Sequence, residues 1–298
     1  MNKNTSGTNI KQTSKFAKGF IYIVLILLAI SIIVPVFWVF MASVKGNEQF
    51  YGNPWALPNG FHFENFVEAW QEANMGTYML NSVLVTAIAI ILLIAIALPA
   101  AYVLARFKFK GNKFWNIMFM AGLFINLNYI VVPIFLMLSN GDTFLRKYFG
   151  THFFLNNLFV LALVYASTAL PFTIYLLAGY FKSLAKDYEE AAYVDGAGYF
   201  RTMVQVILPM AKPSIVTVIL FNFLAFWNEY IIAMTLMPDE RYSTLPGGLM
   251  NLMAAQRSAV QYGRMYAGLV MVMIPTLLMY ILLQKKLTQG MTLGGLKG

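Results

Sequence analysis

The sequence predicts an all-α membrane protein with six transmembrane helices, and three observations carry that prediction. Of the 298 residues, 59% are hydrophobic and only 11% charged, against roughly a quarter charged in an average soluble domain. Six apolar stretches each reach the length of about 20 residues that a helix needs to cross a hydrocarbon core. The charges avoid those stretches: among 21 Lys+Arg and 12 Asp+Glu, only Glu229 falls inside one. Such segregation follows when a charge at the bilayer centre costs about 2.5–3.5 kcal/mol on insertion scales. The chain holds no cysteine and only two histidines, His62 and His152. That removes disulfide frameworks, cysteine nucleophiles and nearly every zinc or iron–sulfur arrangement.

The first stretch, Phe20 to Val44, follows Lys11, Lys15 and Lys18 and so looks like a signal peptide. It is longer than a signal-peptide core of about 7–15 residues and no small-x-small cleavage site follows it, so it reads as a retained helix. The others are Tyr78 to Ala105, Phe114 to Leu138, Leu155 to Tyr180, Ser214 to Met237 and Tyr266 to Leu283. The chain then divides into an N-tail (1–19), a first helix with its outer loop (20–77), a five-helix core (78–284) and a C-tail (285–298).

Orientation follows from where the loops keep their bases. Arg106, Lys108, Lys110 and Lys113 fill one connection, four more bases fill the segment 181–213, and others sit in the two tails. The opposite loops are rich in acids, with Glu48, Glu64, Glu68, Glu72, Asp142, Asp239 and Glu240. Both termini are therefore expected to be cytoplasmic. The formal net charge of +9 expresses this bias together with attraction to anionic lipid, and calls for no nucleic-acid partner.

One cytoplasmic segment has helical grammar of its own, from Phe181 to Pro213. Leu184, Tyr188, Ala191 and Ala192 recur at helical spacing and predict an apolar or small face, with Glu189, Glu190 and Tyr193 elsewhere. Asp187, Glu189 and Glu190 come early, where carboxylates oppose the helix dipole favourably, and Gly196 is placed to supply a left-handed stop. By physics alone this is either an amphipathic connector lying in the headgroups or a contact for something basic in the cytoplasm.

The run Glu190-Ala191-Ala192, then Asp195-Gly196-Ala197, then Val206-Ile207-Leu208-Pro209 resembles the EAA loop of bacterial ABC-importer permeases. Its spacing matches throughout; Val206 stands where isoleucine is usual. Phe226-Trp227-Asn228-Glu229-Tyr230 resembles the WNE-plus-aromatic signature of carbohydrate-uptake permeases, and Gly290 to Gly298 the glycine-rich ending of the maltose-type subfamily. The loop with Pro54, Leu57-Pro58, Phe63 to Phe66 and Ala69-Trp70, followed by Asn81-Ser82, is similar to the approach to the second helix of the same permeases.

The resemblance implies a permease core of the methionine-importer (MetI-like) type in a bacterial plasma membrane. It implies a second homologous permease subunit, a cytoplasmic ATPase dimer and an extracytoplasmic sugar-binding protein as partners, with alternating access driven by ATP. The chain has no G-x-x-x-x-G-K-[ST] phosphate loop. No cofactor is therefore expected on this chain, ATP and Mg being used by the partner ATPase. By resemblance Glu190, Ala191, Ala192, Asp195, Gly196 and Pro209 belong to the coupling loop, with Glu190 as the charged anchor. The tail residues Gly294, Gly295 and Lys297 reach between ATPase subunits in the same picture, although composition alone reads them as a disordered stub.

A lone ionisable residue in a span is a pathway or pairing candidate. Glu229 either faces the path, snorkels to water, or pairs with an outer-loop base such as Arg241. Asn222, Trp227 and Asn228, with Phe223, would give a sugar polar and stacking surfaces, or simply pack helices. Asn126 and Asn128 raise the same question. The aromatic outer loop from Lys45 to Thr77 reads as a cap on the bundle with a share in docking a binding protein. Three other readings remain: a non-sugar ABC solute, an ion-coupled secondary transporter, which would show repeats and ionisable relays, and an intramembrane enzyme, which would need a nucleophile and base inside a span.

Overall fold

The computed structural model describes residues 15–71, 73–255 and 261–295, and among these it contains helices and no strand. Five helices are long and apolar enough to cross a membrane, or six when one bent pair is counted as a single span. The all-α reading stands, while three of the expected spans change shape.

Helix α1 (Lys15–Ser43) has an apolar stretch with no residue buried in the protein. A helix apolar all round and uncovered by protein is one that lipid must cover. Two short helices, α2 (Asn47–Gly52) and α3 (Glu64–Gln71), form the following loop. Helix α4 (Met75–Arg106) presents Val85, Ala89, Leu93, Ala97 and Ala101 at every fourth position, and each is 1% exposed or less. Side chains four apart share one face, and the alanines let a neighbouring backbone come close.

The third span is not one helix. Helices α5 (Asn112–Gly122) and α6 (Leu127–Phe149) meet at a bend of 101°. Gly122 ends α5 against another helix: a Cβ there would lie 2.7 Å from Pro171 Cγ. Asn126 then restarts the chain, its side chain accepting from the Asn128 N–H at 3.0 Å as an N-cap. Hydropathy runs through this break, so Phe114 to Leu138 looked continuous. Helix α6 also runs past Leu138, and Asp142 folds the following turn back by accepting from the N–H groups of Phe153, Phe154 and Leu155 at 2.7–2.8 Å.

Asn157 caps α7 (Leu158–Ser183), which packs along α4 more extensively than any other pair of elements. After α7 come α8 (Asp187–Val194) and α9 (Tyr199–Thr202), a π-helical turn (Met203–Ile207) and α10 (Leu208–Trp227). The fifth span is thus helical from Tyr199 to Trp227 over 29 residues, and Ser214 is not its start. Two prolines hid this: Pro209 falls in the first turn of α10, where its missing N–H matters least, and the wider π turn just before it absorbs the disruption.

The fifth span also ends early, at Trp227 instead of Met237, and a separate helix α11 (Ile231–Leu236) follows. A 3-10 turn (Glu240–Tyr242) leads to α12 (Leu245–Ala255), and α13 (Tyr262–Gly295) closes the chain. Helix α13 runs on into the segment expected as a tail. The main core joins α4, α7 and α10 through residues such as Leu93, Leu161, Tyr165, Leu177, Phe181 and Val218. A second cluster of Met75, Tyr78, Trp227, Leu245, Leu249 and Met271 lies at the end of the bundle opposite α8.

Candidate functional site

Helix α8 carries the Glu190-Ala191-Ala192 run. No side chain caps it, and Asp187, Glu189 and Glu190 occupy its first turn. Its exit is a Schellman stop: Gly196 takes φ +82°, the Gly196 N–H donates to the Tyr193 carbonyl at 3.0 Å and the Ala197 N–H to the Ala192 carbonyl at 2.9 Å. Nothing lies within 4 Å of the Cβ that Gly196 lacks, so its backbone angle alone calls for glycine. That expectation holds.

The expected inward face does not hold. Glu189 and Ala192 are the buried residues of α8, whereas Tyr188, Glu190, Ala191 and Val194 are exposed, Val194 to 87%. The cause is an ion pair with Arg106, the last residue of α4, whose Nε lies 3.2 Å from Glu189 Oε1. Arg106 Nη2 also donates to the Leu184 carbonyl at 2.9 Å. A paired carboxylate turned inward sets the rotation of a helix with so little apolar surface of its own. Aromatic rings close around the pair, and beside it a cleft of about 200 Å3 opens between α4 and α8. Burial holds the Tyr193 phenol above its ordinary range. Sequence reasoning missed Arg106 and Glu189 as a pair, because residues 83 positions apart leave no local signal.

Pro209 lies in the first turn of α10, and Asp195 is the exposed C-cap of α8. Glu190, Ala191, Asp195 and Gly196 are all exposed, as are Val194 and the aromatic residues Tyr199 and Phe200, the last two to 66% and 76%.

The four pathway candidates separate. Asn222 is buried, donating to Thr173 Oγ1 at 3.1 Å and to the Val218 carbonyl at 2.8 Å. Trp227 is buried as well, its indole donating to the Val272 carbonyl at 3.1 Å and stacking on Phe223. Both hold α10 to its neighbours. Asn228 is exposed and donates back to the Leu224 carbonyl at 2.8 Å.

Glu229 neither snorkels nor meets Arg241. Its carboxylate accepts from the Tyr165 hydroxyl at 2.6 Å and from the N–H groups of Ile232 (2.7 Å) and Ala233 (3.1 Å), which opens α11. Arg241 instead pairs with Asp239 at 2.6 Å in the exposed turn, and those bonds hold the Asp239 carboxyl below its usual range. Asn126 is the cap described above, and no metal-binding group of three or more His, Asp or Glu occurs among the described residues.

A family model described as "Binding-protein-dependent transport system inner membrane component" matches residues 97–291. The chain belongs to that family. It is 38% identical over 270 residues to the diacetylchitobiose uptake system permease protein NgcG of Streptomyces coelicolor, covering 91% of this chain and 86% of that one. It is 29% identical to the trehalose/maltose transport system permease protein MalG of Thermococcus litoralis, covering 92% and 94%. The solved structure of a bacterial ABC transporter that imports the acidic polysaccharide alginate has a chain of the same fold, with TM-score 0.77, 23% identity, and coverage of 91% and 98%. At that identity the likeness speaks for the fold alone.

The loop between α1 and α4 of this multi-pass membrane permease packs as a cap. Lys45 is fully buried and donates from Nζ to the Pro54 carbonyl at 2.6 Å. Phe50 stacks on Tyr262 and Tyr266, and Arg264 pairs with Glu68 at 2.8 Å. Asn81 donates to the carbonyls of Arg241 and Ser243, and Ser82 accepts from the Leu245 N–H, so the sequence similarity around them marks a tie between α4 and the segment before α12. Gly294 and Gly295 end α13, and Lys297 lies outside the described residues.

Proposed function

We propose that this permease is the membrane-spanning half of an ATP-driven importer of sugars or oligosaccharides, coupled to its ATPase through the exposed face of α8. The observation that carries the reading is that face: Glu190, Ala191 and Val194 point away from the bundle while the opposite side of α8 is fixed to α4. A short rod held on one side and bare on the other suits a cleft in a moving partner, with Glu190 opposite a base and Ala191 small enough for close approach.

In this reading the bundle end bearing α8 faces the cytoplasm, as do both termini, and the capped end receives an extracytoplasmic sugar-binding protein. A second homologous permease completes the pathway, and an ATPase dimer binds ATP and Mg and performs the hydrolysis. The sugar class is supported by relatives whose names specify diacetylchitobiose, trehalose/maltose and melibiose/raffinose/stachyose. Asn228 and the α5–α6 bend, both exposed, are the stronger candidates for the substrate path; Asn222, Trp227 and Glu229 serve packing and capping.

The test is uptake of radiolabelled disaccharides by cells with and without the chain, alongside purification in mild detergent. Loss of uptake of a sugar on deletion, with an ATPase co-purifying from the wild type and lost on Glu190→Arg, supports the reading. Unchanged uptake of every sugar offered would remove the sugar assignment, and an ATPase retained by Glu190→Arg would remove the coupling assignment.

A further inference from the structure

Whatever motion α8 receives must leave it through the contacts that hold it. The helix has eight residues, and isolated helices shorter than about 12–15 residues are marginal in water. Its orientation is therefore set from outside, and only Glu189 and Ala192 are buried.

We propose that the Arg106–Glu189 pair is the joint that carries movement of α8 into α4, Arg106 acting as a positioning residue for transport. The inference rests on the reading of α8 as the ATPase contact. One guanidinium holds both the helix and the chain that leads into it. Nε faces Glu189 Oε1 at 3.2 Å while Nη2 donates to the Leu184 carbonyl at 2.9 Å. The two side chains are only 5% and 10% exposed, so solvent does little to screen the pair. The contact to Glu189 is electrostatic, and the hydrogen bond to the Leu184 carbonyl fixes how the guanidinium sits, a two-point hold that the single ammonium of a lysine would not reproduce.

Aromatic rings brace the joint from every element around it. Phe181 of α7 packs edge-on to Tyr102 of α4, Tyr102 to Phe107, Phe107 to Tyr199 of α9, and Tyr199 to Tyr193 of α8, with centroids 5.4–5.8 Å apart. Beyond Arg106, α4 is packed along α7 through its buried row of every fourth residue. A push on the bare face of α8 thus meets a continuous stiff path into the two most closely packed spans. Burying an ion pair is weak evidence for stability, since well-packed apolar residues of similar volume are often as good or better. Its presence at the only charged contact between α8 and α4 among the described residues is accounted for by placement: with the Leu184 hydrogen bond it fixes where α8 sits relative to α4.

The experiment uses the assembled complex, purified through this chain. The chain has no cysteine, so Asp187→Cys on α8 and Ile91→Cys on α4, both at exposed positions, take two spin labels. Their distance is measured by pulsed EPR without nucleotide and with ATP trapped by vanadate. With the joint intact, one narrow distance is expected in both states. With Arg106→Gln or Glu189→Gln, the distance is expected to shift between states by more than the width of the unsubstituted distribution, with the ATPase still bound.

A distance that already shifts with Arg106 and Glu189 in place, or one that stays fixed in both Gln variants, would overturn the joint. If the Gln variants lose the ATPase, the exchange Arg106→Glu with Glu189→Arg decides. Return of the ATPase with a fixed distance supports the joint, and failure of either to return overturns it. Glu190→Arg is read in parallel for ATPase binding only. If that variant keeps the ATPase, the coupling reading itself falls and takes the joint with it, a result distinct from a mobile α8 in a complex that depends on Glu190.

Discussion

Glu229 gives the sharpest quantitative expectation, because the sequence offered it as a pathway charge and the structure makes it a cap. In Glu229→Ala two backbone N–H groups at the start of α11 lose their acceptor, a loss of about 0.5–2 kcal/mol for an N-cap. The Tyr165 hydroxyl also loses its partner, and Tyr165 is 1% exposed, so an unsatisfied donor adds about 1–3 kcal/mol. Glu229→Ala should therefore destabilise the permease by about 1.5–5 kcal/mol. Tyr165→Phe alone should cost only about 1 kcal/mol, since Glu229 keeps both backbone donors. Added to Glu229→Ala, Tyr165→Phe removes the orphaned hydroxyl and should restore about 1–3 kcal/mol. Equilibrium denaturation in mild detergent reads all four proteins. A Glu229→Ala protein within about 0.5 kcal/mol of wild type, the scatter of ordinary surface changes, would refute the capping role. So would a double variant less stable than Glu229→Ala alone.

Other expectations follow from single positions. Gly196→Val forces a β-branched residue to φ +82°, at about 1–2 kcal/mol; α8 should fray, seen as faster proteolysis after Lys186, while Gly198→Ala, with nothing within 4 Å of its Cβ, should leave the cleavage pattern alone. Gly248→Ala would bring a Cβ within 2.0 Å of Tyr78 Cδ2, so it should cost at least the 1–3 kcal/mol typical of overpacking, about that much in denaturation. Asp239 has its carboxyl held below the ordinary range by Arg241, so what it adds to the 239–243 turn is fully present above about pH 3.9. That contribution is lost as pH falls through the lower folded value, and protease access to the turn should be flat from pH 7 to about 5 and rise only below about 4.

What the sequence made legible follows the range of the interaction. The first, second and fourth spans and the stop at Gly196 rest on local composition and on one backbone angle, and these are present close to where they were read. The breaks at Gly122–Asn126 and Asn228–Tyr230 went unseen because apolar residues flank both, though the caps Asn126 and Glu229 were there to read. Pro209 and Pro213 misled in the opposite direction: they looked like the end of a loop and lie within a helix entered through a π turn. The rotation of α8 was beyond local reading, because it is decided by Arg106 across 83 residues of chain. Asn222 and Trp227 were named for their polar groups, yet only their partners, Thr173, Val218 and Val272, show that those groups are already satisfied.

Whether the bare face of α8 meets a cytoplasmic ATPase is decided by crosslinking in native membranes. In this cysteine-free chain, Val194→Cys on α8 and Trp55→Cys on the capped end, 87% and 72% exposed, each carry one maleimide-linked photocrosslinker. The expected outcome is an adduct at Val194→Cys whose partner peptides include a G-x-x-x-x-G-K-[ST] loop, and no such adduct at Trp55→Cys. A fully labelled Val194→Cys protein that captures no ATPase, or the same ATPase captured from Trp55→Cys, would contradict it.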